Sequence, residues 1–201
     1  MGDQERMDSG VRFVTLYSSQ PGGIVEKLRR GETHYAKIAL IREKYGEVAD
    51  VFTNAYRWYA ERASTIVPRP DEAESGIWAY ADIGYLDRDE GCRILGLKVP
   101  ADKAVFFLMS DWNKVLNLRY VGRSPAEERE FEAKLLKHGV RYEGDVYLKP
   151  FYPLLKGELL RSWEALFRHD RDIRQGGGEG IPDIQAGLWE LRREWVADWD
   201  C

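Results

Sequence analysis

Amide and carboxylate side chains stand beside tryptophans at two places in this sequence. In SDWNKVLN, Asp111 precedes Trp112 and Asn117 closes the segment; in IQAGLWEL, Gln185 is followed by Trp189. An indole ring covers an apolar or planar part of a ligand, and a nearby amide or carboxylate fixes its orientation. Each residue also has a plainer use. Asp111 can cap the helix starting at Trp112, Asn117 can cap its end, and the rings can fill a core.

A second constellation lies in AYRWYAER. Trp58 and Arg62 are one helical turn apart and can stack, while adjacent Arg57 must face elsewhere. Such an Arg–aromatic pair suits a phosphate or carboxylate ligand; its alternative use is an ion-pairing surface helix. Trp78, in GIWAY, is the remaining ring expected at a site. The histidines are His34, His138 and His169, and none belongs to a nucleophile elbow or a metal motif. Cys92 and Cys201 lack neighbours at metal-ligand spacing, so no metal ligand is assigned.

These side chains need a scaffold, and its centre is 93–117. Alternation up to Val99 reads as a strand, Pro100-Ala101-Asp102 as a break, and Ala104 to Met109 as a buried strand. Ser110 or Asp111 then caps a short helix. Upstream, 11–18 alternates as a strand of β-branched and aromatic residues. A helix over 24–30 stops at Gly31. The patterns predict helices over 33–45 and 47–65, with Tyr45 and Val48 among the buried positions, and a strand over 77–85. Ser124-Pro125-Ala126-Glu127 is a helix start of capping-box type, with Phe131, Leu135 and Leu136 facing inward and Gly139 as the stop. Residues 140–148 read as a further strand and 158–167 as a helix. Residues 170–182, with QGGGEG, read as a mobile loop. Asp183 caps a last amphipathic helix with Ile184, Leu188, Leu191, Trp195 and Trp199 on one stripe, a surface that could also dock a partner or a second copy. Residues 1–10 read as a disordered tail and 11–201 as one domain. The fold class is α+β: a single domain with a mixed sheet of about four to five strands, several helices and the C-terminal amphipathic helix.

The chain has 201 residues, 44% hydrophobic, with net charge −4. That is enough for one substantial core, and it supplies no basic field for nucleic acid. No run reaches the ~20 apolar residues of a membrane span, and the polar start is no signal peptide. A cytoplasmic location is expected.

LYSSQ, AYRWYAER, GIWAY, LKVP…SDWNKVLN, LLRSWEALF and IQAGLWELRREWV occur in this order. Together they resemble a bacterial family catalogued as a domain of unknown function, over about Phe13 to Trp195. The resemblance singles out Tyr56, Trp58, Trp78, Asp111, Trp112, Asn117, Ser162, Trp163, Gln185 and Trp189. The sequence departs from the pattern at Tyr59, where a methionine is expected, and lacks a proline before Ile77-Trp78. The succession of strands is also similar to ADP-ribosyl-transferring folds, which implies NAD as a ligand and Glu143 as a candidate for their orienting glutamate.

The expected function is therefore binding of a small molecule or nucleotide in a Trp-lined polar pocket, with or without catalysis. Trp58, Arg62, Trp78, Asp111, Trp112, Asn117, Gln185 and Trp189 would contribute. The alternative is a non-catalytic interaction module, homodimeric or docking a partner through the Trp-rich C-terminal helix.

Overall fold

The computed structural model describes residues 11–39, 49–86 and 88–201. The expected buried positions Tyr45 and Val48 lie outside the described residues. The core is a six-stranded sheet in the order β5-β6-β3-β1-β4-β8. Its strands are β1 (Phe13–Pro21), β3 (Ile77–Tyr80), β4 (Cys92–Pro100), β5 (Ala104–Leu108), β6 (Ile184–Leu188) and β8 (Val196–Asp198). Strands β2 (His34–Tyr35) and β7 (Glu190–Leu191) pair separately. The class is α+β, but the sheet is antiparallel at every neighbouring pair rather than mixed.

Sequence alternation explains the longest ladder. β1 and β4 pair in full from Phe13↔Pro100 to Pro21↔Cys92. Even-numbered Leu16, Ser18 and Gln20 are buried on one face, while Thr15, Tyr17 and Ser19 turn to the other. α1 (Gly22–Arg29) covers the first face with Val25 and Leu28, and Gly31 takes the left-handed turn that stops it, at φ 83°. Leu16, Leu95, Leu97, Val99, Leu188 and Trp195 complete an aliphatic core there. Each such side chain contributes about 1.5–3 kcal/mol on burial.

The other face carries the helical layer. Helix α2 (Ala49–Ala63) brings Tyr56 and Tyr59, and α3 (Met109–Leu116) brings Trp112 and Val115. α4 (Pro125–Lys137) starts as predicted, with Ser124 Oγ accepting the Glu127 N–H. Glu127 instead accepts the Arg123 N–H. Leu136, expected inward, is 64% exposed; the helix buries Phe131 and Leu135 alone on that stripe. Residues 140–148 are not a strand: α5 (Glu143–Leu148) forms there, burying Val146. α6 (Pro153–Ser162) continues through a 3₁₀ turn, and α7 (Asp170–Gln175) occupies the first part of the expected loop. Asp170 holds α7 to the sheet by accepting the Phe106 N–H at 2.8 Å.

The C-terminal helix does not exist. Residues 184–198 form β6, β7, a 3₁₀ turn and β8. The apolar stripe at helical spacing misleads because β6 is buried on both faces, Gln185 to Leu188, and so shows no alternation. Asp183 does cap a helix, but a different one. Its carbonyl accepts the Met109 N–H and its carboxylate the Ser110 N–H, at 2.9 and 2.6 Å. Residue 183 thus supplies the cap of α3 that Ser110 and Asp111 were expected to provide.

Candidate functional site

The sheet consists of two halves, β4 and β8 on β1, and β5 on β6 on β3. They meet at a single register pair, Tyr17↔Tyr80. Directly opposed residues share a face. One transverse row therefore runs Gly96, Tyr17, Tyr80, Gln185, Phe107 across five strands. The next row holds Trp78, Gly187 and Val105. Tyr17, Trp78 and Tyr80 are half-buried, so the β1 and β3 side of this junction carries partly exposed rings.

Gln185 sits at its centre and is 1% exposed. Its Nε2 donates to the Tyr80 hydroxyl at 3.1 Å, while Oε1 has no hydrogen-bond partner among the described residues. Rotating the amide by half a turn would only transfer the deficit to the nitrogen. Ser19 Oγ, on β1 with the same facing as Tyr17, and Thr53 Oγ1, one turn before Tyr56, are likewise buried without partners among the described residues. An unmatched buried polar group costs about 1–3 kcal/mol, so each calls for a reason.

Rings wall the junction. Trp78 Nε1 donates to the Tyr56 hydroxyl at 3.2 Å. Its ring lies 5.0 Å from Trp112, 4.9 Å from Tyr59 and 5.6 Å from Tyr56 between centroids. Tyr59 reaches over Gly187, where a Cβ would lie 1.8 Å from its hydroxyl oxygen and 3.0 Å from Trp78. Only glycine admits that approach. Burial, with the nearby Asp170 charge adding, pushes the Tyr59 hydroxyl well above its ordinary pKa, so it stays protonated.

The structure brings together Trp78, Trp112 and Gln185 from the expected set, and Trp189 touches the group through Tyr59 at 6.1 Å. Trp189 also donates from Nε1 to the Val67 carbonyl. The others go elsewhere. Asp111, 2% exposed, pairs with Arg168 at 2.7 Å and Lys114 at 3.6 Å. Burial raises its carboxyl pKa, and these cations offset part of that rise. Asn117 is exposed at the end of α3, donating to the Asn113 carbonyl, on a separate cavity of about 500 Å3 with Arg119, Tyr142 and Glu143. Trp58 stacks on Phe167 at 5.9 Å, whereas Arg62 pairs with Glu164 at 2.8 Å. Glu143 accepts the Tyr120 N–H on α5; burial raises its pKa first, and that bond opposes the rise. Ser162 Oγ accepts the Val121 N–H, and Trp163 donates to the Arg119 carbonyl.

Sequence reading missed Tyr17, Ser19 and Tyr80 as site residues. The shared face of Trp78 and Tyr80 was legible from their spacing; the pairing that sets Tyr80 between Tyr17 and Gln185 was not.

The fold and junction define an α+β protein with a split antiparallel sheet. A model of the family described as Domain of unknown function (DUF3841) matches residues 15–197, and the chain belongs to that family. No curated protein and no solved structure matches it. No helix among the described residues is long and apolar enough to cross a membrane. No group of three or more His, Cys, Asp or Glu among them is placed to hold a metal ion.

Proposed function

We propose that the protein binds a small planar ligand at the junction of the two half-sheets, with Gln185 as the group that orients it. The observation that carries this is the buried Gln185 amide, anchored on one side by Tyr80 and unmatched on the other. A carbonyl oxygen held there suits a ligand N–H, and Tyr17, Trp78 and Tyr80 supply faces for a ring. A nucleotide with a heteroaromatic base fits these groups. NAD is the first member of that class to test, as the ligand that the sequence resemblance to ADP-ribosyl-transferring folds implies. Cytoplasmic residence accords with a soluble nucleotide ligand.

The test is a thermal-shift screen of the full chain against NAD, other nucleotides, sugar phosphates and amino acids, with Gln185→Leu in parallel. A ligand at a hundred times its dissociation constant stabilises the fold by about 2.7 kcal/mol. The expected result is a shift in the parent that is lost in a folded Gln185→Leu protein. An equal shift in both would remove Gln185 from the site, and silence across the panel would count against a nucleotide.

A second reading keeps the interaction-module alternative in altered form. Trp189 and Trp195 are buried, so they offer no docking stripe. Exposed Leu136, Tyr142, Leu148, Phe151 and Leu154 do. Light scattering tests it: a monomer that Leu154→Glu leaves unchanged argues against self-association there.

A further inference from the structure

The sheet contains a gap where β3 ends. β1 is paired with β4 along its whole length, but on its other side β3 supplies only the Tyr17↔Tyr80 pair. Past Tyr80, Ala81 still donates its N–H to the Ile184 carbonyl of β6, and beyond Ala81 the chain leaves the sheet. Asp82 accepts the Gly84 N–H, and a 3₁₀ turn over Ile83–Tyr85 carries the backbone away. Among the described residues, the first residues of β1 are left with a free edge.

The facing of that edge follows from one bond. The Arg12 carbonyl accepts the Ala101 N–H at 2.8 Å, so Arg12 and every second residue after it direct main-chain groups toward β4. Phe13 and Thr15 direct theirs the opposite way, into the gap. No hydrogen bond among the described residues reaches their N–H or C=O groups there. Both residues are exposed. Facing this edge is a slot of about 370 Å3, walled by Leu16, Ala81, Phe106, Ile173 and Ile184.

Arg12 closes one end. Its Nη1 donates to the carbonyls of Ile173 and Arg174 at 2.6 and 2.8 Å. These are carbonyl contacts; among the described residues no carboxylate neutralises the guanidinium. Buffering of a fixed guanidinium by a carboxylate is strong and directional.

We propose that this slot receives an extended peptide that runs antiparallel to β1, in line with β3, and sets a carboxylate at its C-terminal end against Arg12. The alternating donors and acceptors of Phe13 and Thr15 match an extended backbone, whose groups repeat at the same spacing. Antiparallel running continues the sense of β3 and brings the peptide's C-terminal end to Arg12. The apolar wall takes alternate side chains. Glu179 also lines the slot and disfavours acidic residues in the body of the peptide. This site is separate from the Gln185 junction, and neither proposal depends on the other.

The experiment uses the full chain and two random pentapeptide libraries, one with free C-terminal carboxylates and one with C-terminal amides. Enriched peptides are resynthesised with a fluorophore and titrated by polarisation. Binders are expected from the free-acid library. Amides that end in Asp or Glu would assign the same carboxylate chemistry to a side chain instead of a chain terminus. Arg12→Gln should weaken binding by about tenfold or more. Thr15→Pro removes a slot-facing N–H without touching the β4 ladder, and it should abolish binding. N-methylation of the peptide at its central residue should do the same without altering the protein. The proposal is overturned by an absence of enrichment in both libraries, by neutral amides binding as well as acids, or by binding that survives N-methylation. A dimer of the chain that Thr15→Pro dissociates, with no peptide bound, would also overturn it, since the occupant would be a second copy.

Discussion

The two faces of the sheet bury the same kinds of polar side chain and treat them differently. On the aliphatic face, Gln20 Nε2 donates to Ser18 Oγ at 2.8 Å, and Ser18 Oγ donates to the Trp78 carbonyl at 2.6 Å. That serine is fully employed, and a layer of Leu and Val closes over it. On the aromatic face, Gln185 is buried and Ser19 half-buried with its Oγ shielded, yet Ser19 Oγ and Gln185 Oε1 lack partners among the described residues. One face is a finished interior. The other has an interior's burial without an interior's hydrogen bonding, and the difference locates the candidate site more sharply than ring content does.

The largest expected effect tests whether the aromatic face is packed at all. Trp112→Ala should cost about 3–5 kcal/mol, at least as much as Leu97→Ala on the aliphatic face at about 2–5 kcal/mol, read from urea unfolding. A Trp112 cost well below that of Leu97 would make the aromatic side a loose pocket wall. Gly187→Ala forces a methyl group into the Tyr59 hydroxyl, and overpacking of this kind costs about 1–3 kcal/mol. A neutral outcome in thermal unfolding would mean that Tyr59 swings away freely.

Next comes the direct contrast between the faces. Ser18→Ala strands the Gln20 amide and should cost about 1–3 kcal/mol. Gln185→Leu gives up the single bond to the Tyr80 hydroxyl but also removes the unmatched Oε1, and the ligand-free protein should change by less than about 1 kcal/mol, or gain stability. Chemical denaturation of both variants at one pH decides it, and equal losses would erase the distinction.

The smallest effect is electrostatic. Folding raises the carboxyl pKa of Asp111 and Glu143, in each case chiefly through burial. The folded state therefore holds their protons more tightly than the unfolded state. Their contribution is most favourable below the ordinary carboxylate pKa and is lost as pH rises through the raised folded values. Asp111→Asn should flatten that decline in a series of urea midpoints from acid to neutral pH. An unchanged slope would assign the dependence to Glu143 or to other groups.

Much of the scaffold was legible. Alternation marked β1 and β4, the unbroken apolar run marked β5, and Ser124-Pro125 marked the start of α4. Those signals are local. What failed depended on distant partners. Ile184, Leu188, Leu191, Trp195 and Trp199 are spaced like a helix stripe, but β6 lies between β3 and β5, where neither face sees water. Asp183 was recognisable as a cap, and only the fold reveals that α3 is its helix. Of the candidate site, Gln185, Trp78 and Trp112 were readable as polar–aromatic neighbours. Asp111 and Asn117 shared that signature and serve an ion pair and a helix end. Tyr17 and Tyr80 become neighbours through a pairing between strands far apart in sequence, which no periodicity encodes.

The Asp183 cap has a consequence for the order of assembly. It grips the first turn of α3 from 73 residues away, so the whole helical excursion between β5 and β6 begins and ends at one point. The entropy of closing so long a loop grows only logarithmically with its length, and a single clasp can hold it. During synthesis, β1 and β4 have emerged and can zip together well before β6 exists. Gln185 arrives with β6, beside a β3 that must wait for it. The junction proposed to bind ligand is thus completed late, with only the β8 edge strand of the sheet still to follow, and a chain stalled before β6 would carry most of its helices and no site.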